Sequence, residues 1–194
     1  MNDTQNIIMV GVGGQGIILA SELMSEAALL AGYDIRKSEV HGMAQRGGSV
    51  SSHVRFGRKV LSPLIEFGKA DIMLAFEKVE GLRACGYMKR GATIIMNDIE
   101  VIPTTVSLGM GTYPHDVPDR LRGLGFSVTL VDAQEKAVRA GTAKAANVVL
   151  LASLAALLDI ERDVWLEVIR RRAPRKFLDI NIEAFNLGYG EGRS

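Results

Sequence analysis

The chain has 194 residues, a length that suits one compact domain able to bury its own apolar core. Its 23 Lys and Arg residues nearly balance 22 Asp and Glu residues, so no global field favours nucleic acid or an acidic membrane surface. A single cysteine, Cys85, excludes an internal disulfide and a self-contained iron–sulfur cluster, which usually takes four thiolates.

The first residues lack a basic region followed by an apolar one, so we expect no signal peptide and a cytoplasmic location. An apolar run at 145–158 is shorter than the ~20 residues that span a bilayer, and it predicts a buried helix. We therefore expect no membrane partner.

A glycine-rich turn joins the first predicted strand, at residues 7–10, to the first predicted helix, at 16–31. Residues 11–16 read Gly-Val-Gly-Gly-Gln-Gly, and three of these glycines have the spacing of a dinucleotide-binding fingerprint. Glycines here allow a phosphate or another backbone to approach the amides at the helix start. The candidate cofactor-binding residues are Gly11, Gly13, Gly14, Gln15 and Gly16.

The second predicted strand, at residues 34–40, leads into a long polar loop. The fingerprint also needs an acid at the end of this strand to bind ribose hydroxyls, and Glu39 is the available residue. The glycine-bracketed polar residues that follow favour contact with something larger, because loops on a rigid scaffold carry contacts. The residues predicted to face a partner or an active site are His41, Gln45, Arg46, Gly47 and Gly48.

The remaining sequence alternates between strand and helix patterns. Strands are predicted at 49–56, 72–76, 92–96 and 126–131, with a weak strand at 105–108 and an edge strand or extended connection at 60–65. Helices are predicted at 77–88, 119–124, 132–140, 142–158, 164–172 and 181–187. This order predicts an α/β protein: a single Rossmann-like three-layer domain over residues 1–190, with a mostly parallel sheet and a helical C-terminal part.

Other reactive residues have simple structural interpretations. Cys85 lies within a predicted helix and is expected to be a small buried side chain. The strand at 49–56 alternates as a half-exposed strand, with His53 on its polar face. Neither His53 nor His115 has a second ligand at metal spacing, so no metal site is predicted. Trp165 is expected in the core or at an interface.

Two motifs together carry a family resemblance. Residues 11–16, with the stretch Ser-Glu-Val-His-Gly-Met-Ala-Gln-Arg-Gly-Gly-Ser-Val at 38–50, resemble the small gamma-type or beta subunit of 2-oxoacid:ferredoxin oxidoreductases. The likeness continues through Ser-Pro-Leu at 62–64, Ala-Asp at 70–71, Ala-Ala-Asn at 145–147 and Ala-Phe-Asn-Leu-Gly-Tyr at 184–189. A single short domain without a cysteine-rich extension is most similar to the indolepyruvate-type members.

The resemblance implies a subunit of a heteromeric enzyme that decarboxylates a 2-oxoacid to an acyl-CoA and passes electrons to ferredoxin. It implies no cofactor on this chain, thiamine diphosphate and iron–sulfur clusters on a large partner subunit, and coenzyme A as cosubstrate. Both glycine-flanked loops would lie near that partner, and no catalytic residue is transferred. Two alternatives remain open: a free-standing NAD- or flavin-binding oxidoreductase, and an assembly scaffold whose glycines serve packing alone.

Overall fold

The computed structural model describes residues 4–41 and 48–190, without the side chains of His41, Thr104 and Thr105. Within these ranges, six strands form one sheet: β1 Thr4–Val12, β2 Asp34–His41, β3 Ser49–Gly57, β4 Ala70–Ala75, β5 Met88–Asn97 and β6 Ser127–Val131. The same ranges contain the helices α1 Ile17–Leu30, α2 Lys78–Ala84, α3 Thr104–Ser107, α4 Val117–Gly123, α5 Ala133–Ala140, α6 Ala146–Ala155, α7 Arg162–Arg172 and α8 Leu178–Tyr189.

The strand order is β2-β3-β1-β4-β5-β6. The neighbouring strands β1, β4, β5 and β6 run parallel to one another, whereas β3 is antiparallel to both β1 and β2. The prediction of a mostly parallel α/β sheet is therefore confirmed. One difference matters for the site: β3 lies between β1 and β2, which are neighbours in the usual dinucleotide-binding order.

Helices cover both faces of the sheet, so the protein has three layers. One face packs against α1 and the C-terminal helices α5 to α8, around the fully buried Trp165 and Phe185. The other face packs against α2 and α4, around Met73, Ile94 and Met96. Because β1, β4 and β5 are covered on both sides, their apolar runs are continuous. None of the helices in the described ranges is long and apolar enough to cross a membrane.

Three local predictions are wrong. The predicted strand at 105–108 is helix α3, because the carbonyl of Pro103 accepts hydrogen bonds from the amides of Val106 and Ser107, both at 3.0 Å. His53 is only 4% exposed, because the chain after β3 folds back over the face expected to be polar. The predicted helix at 77–88 ends at Ala84, and Cys85 lies half-buried in a following 3-10 turn.

Candidate functional site

The described residues that flank the two predicted loops lie at the same edge of the sheet. Strands β1, β2, β4, β5 and β6 all end at this carboxyl edge, and β3 begins there. The glycine turn after β1 and Gly48 before β3 are joined directly, since the amide of Gly13 donates a 2.9 Å hydrogen bond to the carbonyl of Gly48. His41 pairs with Val50 across the β2–β3 hairpin. Gln45, Arg46 and Gly47 lie outside the described residues.

Steric limits explain the glycines of the turn. Gly14 and Gly16 have φ values of 103° and 82°, a region that favours glycine. A Cβ at Gly11 would lie 2.7 Å from the Cβ of Phe76, so a side chain there would clash with the chain after β4.

Some hydrogen-bonding groups of the glycine turn are already paired within the protein. The side chain of Gln15 folds back, and its Oε1 accepts a 2.7 Å hydrogen bond from the amide of Val12. The amide of Gly13 is used by Gly48. Gly16 is the N-cap residue of α1, so the helix start has no side-chain cap, and its first turn has no acidic residue. The helix start thus offers positive backbone dipoles, although the amides of Val12, Gly13 and Gln15 are already bonded.

A cleft of about 400 Å³ opens beside the glycine turn. The cleft lies at the carboxyl ends of β1 and β4. The chain leaves β1 towards β2, on one side of it in the sheet, whereas β4 lies on the other side. Open α/β sheets bind ligands at such a switch point. Its floor is apolar and includes Phe76, Ile99 and Leu150. Among the described residues lining it, none is acidic and Lys144 is cationic, so the cleft favours an anion beside an apolar group.

Asn147 is the polar residue most directly placed in this cleft. It is 7% exposed, and its Nδ2 lies 2.6 Å from the position that a Cβ on Gly16 would take. Its side-chain amide, which offers both a hydrogen-bond donor and an acceptor, is among the groups that line the cleft. Gln134, which follows β6, also lines the cleft. Our sequence interpretation assigned no role to these residues; the Ala-Ala-Asn motif at 145–147 was the available signal.

A buried carboxylate holds the wall of the cleft. Glu77 is 1% exposed and caps α2, accepting a 2.9 Å hydrogen bond from the amide of Glu80. Its Oε1 also accepts from the amide of Val101, at 3.2 Å, and from the Tyr113 hydroxyl. Burial and this carboxylate raise the pKa of Tyr113, so the phenol stays protonated as the donor. One side chain therefore fixes both ends of the segment 101–113 at the carboxyl edge.

A second buried carboxylate ties the start of β3 to α2. Glu80 is 6% exposed, and its Oε2 accepts a 2.5 Å hydrogen bond from the Ser49 hydroxyl. Its Oε1 pairs with Arg83 at 2.6 Å. Ser49 follows Gly48 directly, so this contact fixes the exit of the second loop against the rest of the edge.

The described residues offer no group of three His, Cys, Asp or Glu side chains that could hold a metal ion. Cys85 is the chain's only cysteine, so its own donor set does not fit an iron–sulfur cluster. Buried His53 is a structural acceptor, because its Nδ1 receives a 3.1 Å hydrogen bond from the amide of Ile65. Burial lowers the pKa of His53, which favours this neutral form.

Residues 6–191 match the model of the pyruvate ferredoxin/flavodoxin oxidoreductase family, POR. The chain belongs to this family. It is similar to the indolepyruvate oxidoreductase subunits IorB of Thermococcus kodakarensis and Pyrococcus horikoshii, with 42% and 41% identity. Each alignment covers 94% of this chain and 93% of the relative. This POR-family chain is thus an IorB-like subunit of the 2-oxoacid:ferredoxin oxidoreductases.

Solved structures show the same POR fold. The keto/oxoacid ferredoxin oxidoreductase gamma subunit of Geobacter sulfurreducens PCA aligns with a TM-score of 0.73 and 23% identity, covering 97% of this chain and 98% of that one. The 2-oxoglutarate:ferredoxin oxidoreductase of Magnetococcus marinus aligns with a TM-score of 0.78 and 20% identity. That alignment covers 100% of this chain but 32% of the longer one, so the fold also occurs as part of a larger polypeptide.

Proposed function

We propose that the chain is the small subunit of an indolepyruvate- or arylpyruvate-type 2-oxoacid:ferredoxin oxidoreductase. The enzyme would decarboxylate the 2-oxoacid, join the acyl group to coenzyme A and pass two electrons to ferredoxin. Thiamine diphosphate and the iron–sulfur clusters would belong to a large partner subunit. The observation that carries the proposal is the 42% identity to an IorB subunit over almost the full length of both chains.

The carboxyl edge would be the face turned towards that partner and the reacting groups. Three observations support this role: the Gly13–Gly48 hydrogen bond joins the two loops, the cleft lies at the switch point, and Lys144 and Asn147 line it. Gly11, Gly13, Gly14, Gln15 and Gly16 would shape the approach to the start of α1. His41, Gln45, Arg46, Gly47 and Gly48 would supply the contact loop.

The ligand that suits the cleft is an anionic group with an apolar neighbour, such as a phosphoryl group of coenzyme A or of a cofactor held by the partner. The uncapped start of α1, Lys144 and the Asn147 amide would bind the anion, while Phe76 and Ile99 would contact the apolar part. No catalytic acid or base is assigned to this chain. Its residues would bind and orient, and the bound cofactors of the partner would supply the chemistry.

Reconstitution tests the proposal. The large subunit from the same source would be loaded with thiamine diphosphate and clusters, then assayed with and without this chain for viologen reduction. We expect turnover of indolepyruvate with coenzyme A only when both chains are present. Pyruvate and 2-oxoglutarate serve as comparison substrates. Activity of this chain alone, or faster turnover of a non-aryl 2-oxoacid, would contradict the assignment.

Asn147 and Lys144 test the cleft separately. Lys144→Ala and Asn147→Leu should raise the KM for coenzyme A at least about tenfold in the reconstituted enzyme, since a hydrogen bond to a charged group contributes about 1.5–3 kcal/mol. Arg139→Ala is the matched control, because Arg139 is exposed on α5 and pairs only weakly, at 4.0 Å, with Glu135. Unchanged KM and kcat in both cleft variants would contradict a binding role for the cleft. They would instead support the scaffold alternative, in which the glycines serve packing alone.

A further inference from the structure

We propose that the chain from Arg58 to Lys69, here called the 58–69 segment, docks an acidic and apolar face of the large partner subunit. This inference rests on the proposed function for the existence of that partner. It concerns a different surface from the carboxyl-edge loops: the segment follows β3 and returns to the start of β4, beginning and ending at the opposite edge of the sheet.

Side chains of the sheet hold the 58–69 segment in place, although it forms no helix or strand. Asp34, at the start of β2, accepts a 2.8 Å hydrogen bond from the amide of Val60. Arg55 donates to the carbonyls of Ser62 and Leu64, at 2.8 and 3.3 Å, and His53 accepts from the amide of Ile65. The backbone is therefore ordered before any partner binds, which lowers the entropic cost of association.

This fixed backbone presents three large apolar side chains to solvent. Leu61, Leu64 and Phe67 are 85%, 56% and 72% exposed. Phe67 is held in position by stacking on Tyr87, with ring centroids 4.3 Å apart. Ordered apolar side chains grouped on one segment are a mark of a protein interaction site rather than of an ordinary surface.

The charges around these side chains define the partner's chemistry. A pocket of about 260 Å³ beside Leu64 is lined by Arg55, Lys69 and Lys89, with Glu66 as its one acidic lining residue in the described chain. Lys89 is neutralised by Asp71. Within the described ranges, however, Arg55 donates to neutral acceptors: the amide oxygen of Asn6 and the two carbonyls of the segment. Its charge is thus available for a carboxylate.

Segment 58–69 itself carries three cationic residues, Arg58, Lys59 and Lys69, against the single acid Glu66. The whole chain has a formal charge of +1, so the segment, with its excess of cations, is more positive than the rest of the chain taken together. A partner complementary to it presents Asp or Glu next to apolar side chains. A second copy of this chain does not fit, because a two-fold contact would bring the same cations face to face.

Charge reversal and apolar replacement test the proposal in the reconstituted complex. Leu61→Glu and Phe67→Glu should each raise the Kd for the large subunit at least about tenfold, since truncating an interface hot spot typically costs ~2 kcal/mol or more. Lys59→Glu combined with Lys69→Glu should also weaken assembly and reduce its dependence on salt. Leu124→Glu is the control, because Leu124 is 61% exposed but follows α4, beside β6 on the far side of the sheet.

Equal Kd values for wild type, Leu61→Glu and the double charge variant would overturn the inference. So would a dimer of the isolated chain that Leu61→Glu dissociates, since the occupant would then be a second copy. Circular dichroism and thermal unfolding check that each variant is folded. We expect folded variants, because the substituted side chains are exposed. If the wild-type complex turns over indolepyruvate while the variants assemble normally, this inference fails and the proposed function stands. If the wild-type chains do not assemble at all, both fail.

Discussion

At the scale of single residues, Gly188 shows how closely two C-terminal helices approach. It lies on α8, and a Cβ there would be 2.1 Å from the carbonyl oxygen of Val149 on α6. The Ser153 hydroxyl donates a 3.0 Å hydrogen bond to the carbonyl of Gly188 across the same contact. Only glycine allows this backbone approach, so Gly188 is a packing requirement of the layer that covers the sheet.

Gly188→Ala should therefore reduce the free energy of unfolding by about 1–3 kcal/mol, the usual cost of an extra methyl group in a packed core. Urea unfolding followed by circular dichroism measures the change. Gly190→Ala is the control two residues later, where an added Cβ would meet no described atom within 4 Å. Comparable losses of stability in the two variants would contradict this explanation, because helix propensity favours Ala over Gly and Gly190 makes no such close contact.

Arg46 offers a residue-scale test of the second loop. The residue itself lies outside the described ranges, but Gly48, two positions on, bonds to Gly13 of the glycine turn. An Arg guanidinium there would add a fixed charge and a planar fork suited to a carboxylate or phosphate. Arg46→Ala should weaken assembly, or raise the KM for 2-oxoacid or coenzyme A, by about 30-fold, as expected for a desolvated Arg contact of ~2 kcal/mol.

Arg139→Ala, on the exposed side of α5, supplies the comparison for this loop. Both variants are measured in the same reconstituted complex. Negligible effects of both substitutions would assign the second loop to the solvent-exposed surface.

At the scale of elements, the 58–69 segment depends on the protonation state of His53. The Nδ1 atom accepts the amide proton of Ile65 only when the imidazole is neutral. Burial lowers the pKa of His53, so the folded state binds this proton less readily than the unfolded chain does. The resulting stability is present above the unfolded pKa of about 6.5 and is lost as the pH falls below it.

The free energy of unfolding should therefore decrease between pH 7 and pH 5, together with amide protection around Ile65. Hydrogen exchange and urea unfolding at several pH values measure both effects. His53→Asn keeps an acceptor oxygen near the Nδ1 position without titrating in this range, so it should show a smaller decrease. A pH profile identical to that of the wild type would show that other groups cause the loss.

The elements that could be predicted are those whose signal is local. The glycine turn and α1 follow from glycine spacing and apolar periodicity, and their predicted limits differ from the observed ones by one residue. The position of β3 between β1 and β2 could not be predicted, because strand order depends on pairing between distant residues. Burial of His53 was missed because the covering segment has no periodic pattern.

The buried carboxylate shows the same limit at the candidate site. In the sequence, Glu77 is an acid at the first position of a predicted helix, which indicates a helix start and nothing more. Its other contacts come from residues 24 and 36 positions away. In the sequence Asn147 is only the last residue of a three-residue motif. Its proposed role depends on its position beside Gly16, which only the fold shows. Local chemistry predicts the two loops at this edge, which remains the candidate site, and long-range packing decides which side chains meet there.

At the scale of the whole molecule, the sheet order bears on the dinucleotide-binding alternative. In that alternative an acid at the end of β2 would bind the ribose of a nucleotide placed at the end of β1. Because β3 intervenes, β2 lies two strands away from β1, or about 10 Å at the usual strand spacing. Glu39 is also ion-paired with Lys37, at 2.7 Å. The glycine spacing is therefore present without the usual geometry for the ribose.

Calorimetry with NAD, NADP and FMN should accordingly give no binding to the isolated chain at micromolar concentrations. The expected result follows from the missing ribose contact and from the two turn amides already used by Gln15 and Gly48. Coenzyme A is titrated in parallel, first with the isolated chain and then with the assembled complex. Micromolar affinity for a dinucleotide or flavin would promote the free-standing oxidoreductase and count against the subunit assignment.

The antiparallel position of β3 also affects how the contact loop can change over evolution. The loop between β2 and β3 closes a hairpin, whereas the other connections at this edge lead towards helices whose packing fixes their length. Each doubling of a flexible loop costs only about 0.6 kcal/mol in closure entropy. Insertions after His41 would leave every helix in place while altering what the loop reaches. The hairpin thus permits a change in the length of this loop without rebuilding the fold.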